Sequence, residues 1–194
     1  MILYQEAIDR FSETYTRAQT LSVHEPTAVI LATASLDARP SARTVLLKDF
    51  SAAGFVFFTN QHSRKGEQLA ENPWGSLCFF WQELMEQVHV EGAIHVVEPK
   101  VSDEYWFTRP CASQAGAWAS QQSQPLASRA VLEERFTAFQ NQFKGTVVPR
   151  PPHWSGYRLV PNRIEFWKSA PYRLHERTCY IQQGSDWTKT LLHP

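Results

Sequence analysis

The sequence predicts a mainly β chain with flanking helices, an α+β architecture built on an antiparallel barrel. Between Thr27 and Glu98, short β-branched or aromatic runs recur in close succession. The links between them, such as Asp37-Ala-Arg-Pro40 and Ser51-Ala-Ala-Gly54, suit hairpins and are too short for helical crossovers. Helical periodicity is confined to the N-terminus, a short stretch after Ser63, and residues 102–143. A chain of 194 residues accommodates one domain with a substantial core, taken as 1–194 with an N-terminal helical segment over 1–24.

The elements follow in order. Ile8, Phe11, Tyr15 and Ala18 stand at helical spacing and predict an amphipathic helix over 4–19. Strands are predicted at 27–35, 41–49 and 54–60. Ser63 reads as the N-cap of a helix over 64–72 that Pro73 stops. Two further strands are predicted at 75–82 and 86–98, then helices from Ser102 to Arg109 and Ser128 to Phe143. Leu132, Phe136, Phe139 and Phe143 form a stripe on the second of these, read as core or interface packing. Val147-Val-Pro-Arg-Pro-Pro152 cannot be helical and reads as a rigid linker, after which strands at 156–160, 163–168, 178–182 and 187–192 complete the sheet.

Composition excludes several classes of function. Lys+Arg and Asp+Glu balance at 19 each, so any anion site is local and a nucleic-acid partner is not expected. Cys78, Cys111 and Cys179 form no CxxC and no disulfide framework, and the seven histidines show no metal-clip spacing. The scattered glycines assemble neither a dinucleotide fingerprint nor a phosphate loop. An N-terminus without a continuous apolar core, and the lack of any long apolar run, lead to the expectation of a cytoplasmic protein with no membrane partner.

Four groups of residues carry chemistry. Arg43 and Lys48 bracket a strand, but ideal alternation puts them on opposite faces, so they meet one ligand only if the strand bends, ends near Lys48 or borders a dimer cleft. Ser63, Arg64 and Lys65 open a helix, where free N–H groups, the helix dipole and two cations can converge on a phosphate. Tyr105 and Arg109 share a helix face, with Ser113 following after Pro110 ends the helix; together they make a plausible second phosphate cup. Arg173, His175 and Arg177 share parity with Trp167, and in an extended segment would line one face. Each group has a plain alternative: strand-end charges in solvent, an ordinary N-cap, a Tyr stacked on an Arg, a charged edge strand.

Taken jointly, these groups resemble the pyridoxine (pyridoxamine) 5′-phosphate oxidase family. The resemblance runs through Glu25-Pro-Thr-Ala28, Arg43-x-Val-Leu-Leu-Lys48, Thr59-Asn60-x-x-Ser-Arg-Lys65 and Glu86-Gln-Val88. It continues through Tyr105-x-x-Thr-Arg-Pro110, Ser113-Gln-x-Gly-Ala-Trp118, Gln122-Ser123, Ile164-Glu-Phe-Trp167 and Arg173-Leu-His-x-Arg177. It implies an FMN-binding split β-barrel of Greek-key type, working as a homodimer with FMN at the subunit interface. By position it implies FMN contacts from Arg43, Thr44, Val45, Leu46, Leu47, Lys48, Phe58, Thr59, Ser63, Arg64, Lys65, Gln87, Gln122, Ser123, Trp167 and Arg177. Lys48, Tyr105, Arg109 and Ser113 would hold the substrate phosphate, and Arg173 and His175 would flank the substrate ring as the catalytic pair.

The implied activity is oxidation of pyridoxamine or pyridoxine 5′-phosphate to pyridoxal 5′-phosphate, with O2 reduced to H2O2. Two rival readings are a phenazine-pathway-type flavin oxidase and a non-catalytic flavin or pyridoxal-phosphate binding protein. The chain departs from the family pattern at Phe58, commonly Tyr, at Thr108, often Ser, and at Glu176, an Asp elsewhere. Basic and tyrosine residues that fold over the substrate in some members have no counterpart before Glu6.

Overall fold

The computed structural model describes residues 2–21 and 25–194. The expected N-terminal segment is one helix, α1 (Ile2–Thr20), and residues 22–24 of that segment lie outside the described residues. Ala7, Ile8, Phe11 and Ala18 form its buried face. Phe11 packs edge-on against Phe55 and Phe79 at 4.8 and 5.0 Å, so the helix closes one end of the barrel.

Strands β1 (Ala28–Ala34), β2 (Pro40–Leu46), β3 (Asp49–Ser51) and β4 (Gly54–Asn60) come first, then α2 (Arg64–Glu71). β5 (Trp74–Trp81) and β6 (Glu86–Val96) precede three helices, α3 (Pro99–Thr108), α4 (Cys111–Ala119) and α5 (Arg129–Gln142). β7 (Trp154–Lys168), β8 (Glu176–Gln183) and β9 (Asp186–Leu191) end the chain. The hydrogen-bonded order is β2-β1-β5-β6-β7-β4-β3, with β8 also on β7 and β9 on β8; every pairing is antiparallel. The path returns on itself where the Lys48 N–H donates to Val56 O at 2.8 Å, bringing the end of β2 beside β4. Inward residues of each strand fill the core, among them Leu31, Phe57, Leu77, Phe79, Val90, Leu159 and Ile164.

Three expectations need correction. The strand expected to run through Lys48 to Asp49 stops at Leu46, and Asp49–Ser51 is a separate short strand in a hairpin with β4. The strands expected at 156–160 and 163–168 are one strand of 15 residues, β7. Pro161 suggests a break, yet Pro161 pairs with Gly92 and Arg163 with Glu91, leaving Asn162 as the extra residue of a β-bulge. A helix unforeseen in the sequence, α4, begins right after Pro110, which is its N-cap residue; Pro110 ends one helix and opens the next. The α5 stripe packs as expected, half-buried rather than in the core, since no residue of α5 is fully buried. Its aromatic stripe lies on α4, with Phe139 and Phe143 at 5.7 and 5.8 Å from the Trp118 ring.

The bulge lets β7 change partners. Below it β7 pairs with β4, and above it with β8, while β6 stays paired along both halves. Close approach at this bend requires a residue without a side chain: a Cβ on Gly92 would sit 1.9 Å from Val160 O. Backbone lies on both sides of that contact, so relaxation is expensive. Gly92→Ala is expected to lower the unfolding free energy by about 2–3 kcal/mol, measured by urea denaturation; wild-type stability would show that the bend is not tight.

Candidate active site

β2 is an edge strand, bonded to β1 on one side. Its other side borders a cleft of about 760 Å³ walled by β4, the start of α2, α3, α4 and the segment after α4. Because the cleft runs along a free strand edge, residues of both parities reach it. Arg43 and Lys48, on opposite faces of an ideal strand, both line it along with Thr44, Val45 and Leu46. Phe58, Thr59, Arg64, Lys65, Tyr105, Arg109, Ser113, Gln122 and Ser123 line it too. Five residues of the implied flavin set do not: Leu47 and Ser63, and Gln87, Trp167 and Arg177, which lie elsewhere. Leu47 turns inward and is a core residue, 3% exposed, because it shares parity with Val45. Ser63 is fully buried as the N-cap of α2, accepting the Gly66 N–H and donating to Asn60 O at 2.7 Å.

The electrostatics of this cleft are one-sided. Arg43, Lys48, Arg64, Lys65 and Arg109 line it, and among the described lining residues there is no carboxylate. None of the five is in an ion pair among the described residues. Neutral acceptors hold Lys65 and Arg43 instead. Lys65 Nζ donates to Gln122 Oε1 at 2.9 Å and Ser63 Oγ at 3.1 Å, and Gln122 also accepts from Thr59 at 3.1 Å. Arg43 donates to Leu31 O at 3.1 Å, Thr33 Oγ1 at 2.7 Å and Gln68 Oε1 at 3.4 Å. Burial, and then the neighbouring Arg43 charge, push the Lys65 ammonium down to about 8. Burial likewise lowers Arg43, with Arg64 adding to it, and burial lowers Arg109. Arg109 Nη1 is buried without a hydrogen-bond partner among the described residues. Such a set fits a ligand carrying phosphate, since an anion supplies what every one of these cations lacks.

The remaining predicted residues gather elsewhere. Gln87, Trp167 and Arg177 are directly paired across β6, β7 and β8, so they form one row on one sheet face. Arg177 is bonded to Glu165 Oε1 at 2.6 Å through Nη2 and at 2.7 Å through Nε. Burial raises the Glu165 carboxyl, but hydrogen bonds and charge from Arg177 and Arg163 outweigh it and hold the group below its ordinary value. The expectation that Arg173, His175 and Arg177 line one face of an extended segment fails. Pro171–Arg173 is a 3-10 turn, Tyr172 and Arg173 have φ of 59° and 63°, and β8 begins at Glu176. Proline fixes the turn's first residue, and the chain must reverse between Lys168 and its partner Glu176. The turn still brings His175 to Trp167, ring centroids 4.7 Å apart. His175 Nδ1 faces the Ala170 N–H at 3.2 Å, which in the neutral ring leaves the proton on Nε2. None of Gln87, Trp167, Arg173, His175 and Arg177 lines the cationic cleft of the same chain.

Sequence reasoning did not single out Trp106, Gln68 or Trp154. Trp154 lines the cleft, Gln68 fastens Arg43, Thr33 and Ser41 to α2, and Trp106 lies beneath Arg109. Their signal was their type alone, a Gln inside a helix and two among seven Trp, and nothing local marks them.

Residues 16–143 match the family described as Pyridoxamine 5′-phosphate oxidase, and residues 154–194 match the Pyridoxine 5′-phosphate oxidase C-terminal dimerisation region. The chain belongs to the pyridoxamine 5′-phosphate oxidase family. A pyridoxine/pyridoxamine 5′-phosphate oxidase from Alkalilimnicola ehrlichii is 50% identical over 196 residues, covering 100% of both chains. Another from Myxococcus xanthus is 49% identical over 97% of this chain and 92% of its own length. Among solved structures, PhzG from Burkholderia lata 383, in complex with tetrahydrophenazine-1-carboxylic acid, superimposes with a TM-score of 0.92 at 35% identity. That match covers 96% of this chain and 92% of PhzG. The oxidase family's split barrel is thus the architecture of this chain, with the cationic cleft on the open edge of β2.

The buried Lys65 charge makes the stability of the ligand-free fold depend on pH. The folded pKa of Lys65 lies below the unfolded value of 10.5, so the ligand-free fold is penalised at pH below about 8, and the penalty fades as pH rises toward 10.5. Lys65→Met is expected to stabilise the ligand-free protein at pH 7 by about 1 kcal/mol after solvent screening, with the gain shrinking at pH 10. A destabilised variant at pH 7, in thermal unfolding, would refute the uncompensated charge.

Proposed function

We propose that this chain is the FMN-dependent oxidase that converts pyridoxamine 5′-phosphate or pyridoxine 5′-phosphate to pyridoxal 5′-phosphate. The observation that carries this reading is the cleft with five cations and no carboxylate among its described lining residues. It suits two phosphate-bearing ligands, a flavin nucleotide and a phosphorylated substrate, and the full-length relatives at about half identity bear the oxidase name.

Arg43, Arg64 and Lys65, with the first N–H groups of α2, bind the FMN phosphate. The edge of β2 as far as Leu46 offers backbone groups to the flavin ring system. Leu47 offers neither its side chain, which is in the core, nor its N–H, which donates to Thr27 O at 2.8 Å. Thr59, Gln122 and Ser123 hold the cationic end in place, and Phe58 forms an apolar wall. Lys48, Tyr105, Arg109 and Ser113 bind the substrate phosphate. When bound, FMN supplies the two-electron acceptor for the substrate's 4′ carbon and passes the electrons to O2, releasing H2O2.

Gln87, Trp167, Arg173, His175 and Arg177 lie outside the cleft of their own chain, so they serve the cleft of a second copy in a homodimer. There Arg173 offers positive charge, and His175 a hydrogen bond from Nε2, to the substrate ring. The pair orients the substrate and excludes water, and neither is assigned as general base. The whole chain acts as one domain. We place the enzyme in the cytoplasm: Cys78, Cys111 and Cys179 are free, and no described helix is long and apolar enough to cross a membrane. A phenazine-type substrate, the reading that PhzG favours, carries a single carboxylate and would leave the phosphate cup around Arg109 Nη1 without a phosphate.

The direct test is aerobic turnover of pyridoxamine 5′-phosphate by the FMN-loaded protein, with aldehyde and peroxide expected in equal amounts; a yellow protein without turnover would sink the oxidase reading. Arg64→Ala is expected to weaken FMN binding about tenfold, read as flavin lost on dialysis, and undiminished occupancy would remove Arg64 from the site. Arg109→Ala is expected to raise the substrate KM about 10–100-fold with FMN retained. FMN affinity is expected to fall as pH rises above about 8, because the ligand must then reprotonate Lys65; a flat titration between pH 7 and 10 would contradict the lysine–phosphate contact.

A further inference from the structure

We propose that Trp154 is a positioning residue for the substrate phosphate, acting through Arg109. This rests on the assignment of Arg109 to the phosphate cup. The Arg109 guanidinium sits in a corner made by two indoles. Its Cζ is 4.9 Å from the Trp154 ring and 5.1 Å from the Trp106 ring, and those rings meet edge to face at 67°. Nη1 has no acceptor, and no carboxylate pairs with Arg109 among the described residues. Asp103, on the same helix, is instead bonded to Arg150 at 2.6 Å.

The choice of aromatic faces over a carboxylate has a physical consequence. A carboxylate would hold the guanidinium in place but cancel its charge before any substrate arrived. An indole face attracts the cation through its quadrupole and leaves the full positive charge for an incoming dianion. Burial disfavours the bare cation, which sharpens its preference for an anionic ligand.

Trp106 is fixed through its indole and Trp154 through its backbone. The Trp106 Nε1–H donates to Val148 O at 2.8 Å, and Arg150 Nη1 donates to Trp154 O at 2.7 Å. The proline-rich segment before β7 thereby clamps α3 against the start of that strand. Trp154 also lies nearly parallel to Phe58, at 5.1 Å and 9°, and Phe58 stacks on Tyr105 at 4.2 Å. A Cβ on Gly156 would meet the Phe58 ring at 2.7 Å, so the glycine lets this ring lie flat beside β7. The aromatic group thus connects two members of the phosphate cup, Tyr105 and Arg109, and Trp154 is the ring that touches Phe58 and Arg109 alike.

The experiment is a double-mutant cycle on the FMN-loaded enzyme. Trp154→Leu is expected to raise the KM for pyridoxamine 5′-phosphate about tenfold, with the effect on KM far exceeding that on kcat. Competitive inhibition by inorganic phosphate should weaken in parallel, and flavin content should stay at one per chain. Trp154→Phe, which keeps a weaker aromatic face, should recover most of the loss and carries the same cycle if the leucine variant does not fold. In the Arg109→Ala background either Trp154 substitution should add nothing further to KM. Additive effects in that background, or an unchanged phosphate inhibition constant, would overturn the proposal and leave the role of Arg109 standing. A wild-type KM in Arg109→Ala alone would instead overturn the phosphate assignment on which it rests.

Discussion

The molecule depends on keeping several positive charges close together without neutralising them. Arg43, Lys65 and Arg109 are each partly desolvated, and each is held by groups that bear no negative charge. Gln68 and Gln122 act as acceptor hubs, the helix cap Ser63 braces Lys65, and two indoles cradle Arg109. Repulsion among these cations opposes folding and favours anion binding, and both follow from the same Coulomb energy. The rest of the fold can be read as the scaffold that makes this arrangement tolerable: a barrel core packed by aromatic and branched side chains, with α1 closing one end.

Arginines elsewhere on the sheet are treated in the opposite way. Arg163 and Arg177 flank Glu165, which is 5% exposed, and Arg163 also reaches Glu91 at 2.6 Å. Here charge is neutralised, as suits side chains covered by other protein groups. The row Gln87–Trp167–Arg177 crosses this part of the sheet, within or beside the region that matches the family's dimerisation segment. One chain therefore carries two surfaces of different electrostatic character. β7 spans both, pairing with β4 near the cleft and with β8 beyond the bulge at Asn162.

Much of this was legible in the residues. The hairpin turns, the Ser63 cap and the apolar face of α1 rest on short-range rules, and the structure bears them out. The motif groups also pointed to real neighbours, since Tyr105, Arg109 and Ser113 do share a cleft with Arg43 to Leu46 and Lys48. The misreadings have local causes. Pro110 does end its helix but also caps a new one, and the two strands expected at 156–160 and 163–168 are one, continued through a bulge opposite Gly92. Parity placed Arg173 and His175 in an extended row, whereas two left-handed residues after Pro171 reverse the chain.

By itself, the sequence determined the secondary-structure alphabet, the local caps and turns, and the motif order that marks the family, because each depends on residues close together in the chain. Tertiary structure alone decided that β2 presents a free edge, that Leu47 serves the core while Lys48 serves the cleft, and that the cations meet without carboxylates. It also decided that Trp154, far along the chain, comes to lie against Arg109. Those outcomes hang on strand pairing and packing across long sequence separations, where net charge and local periodicity hold no information about which side chains become neighbours.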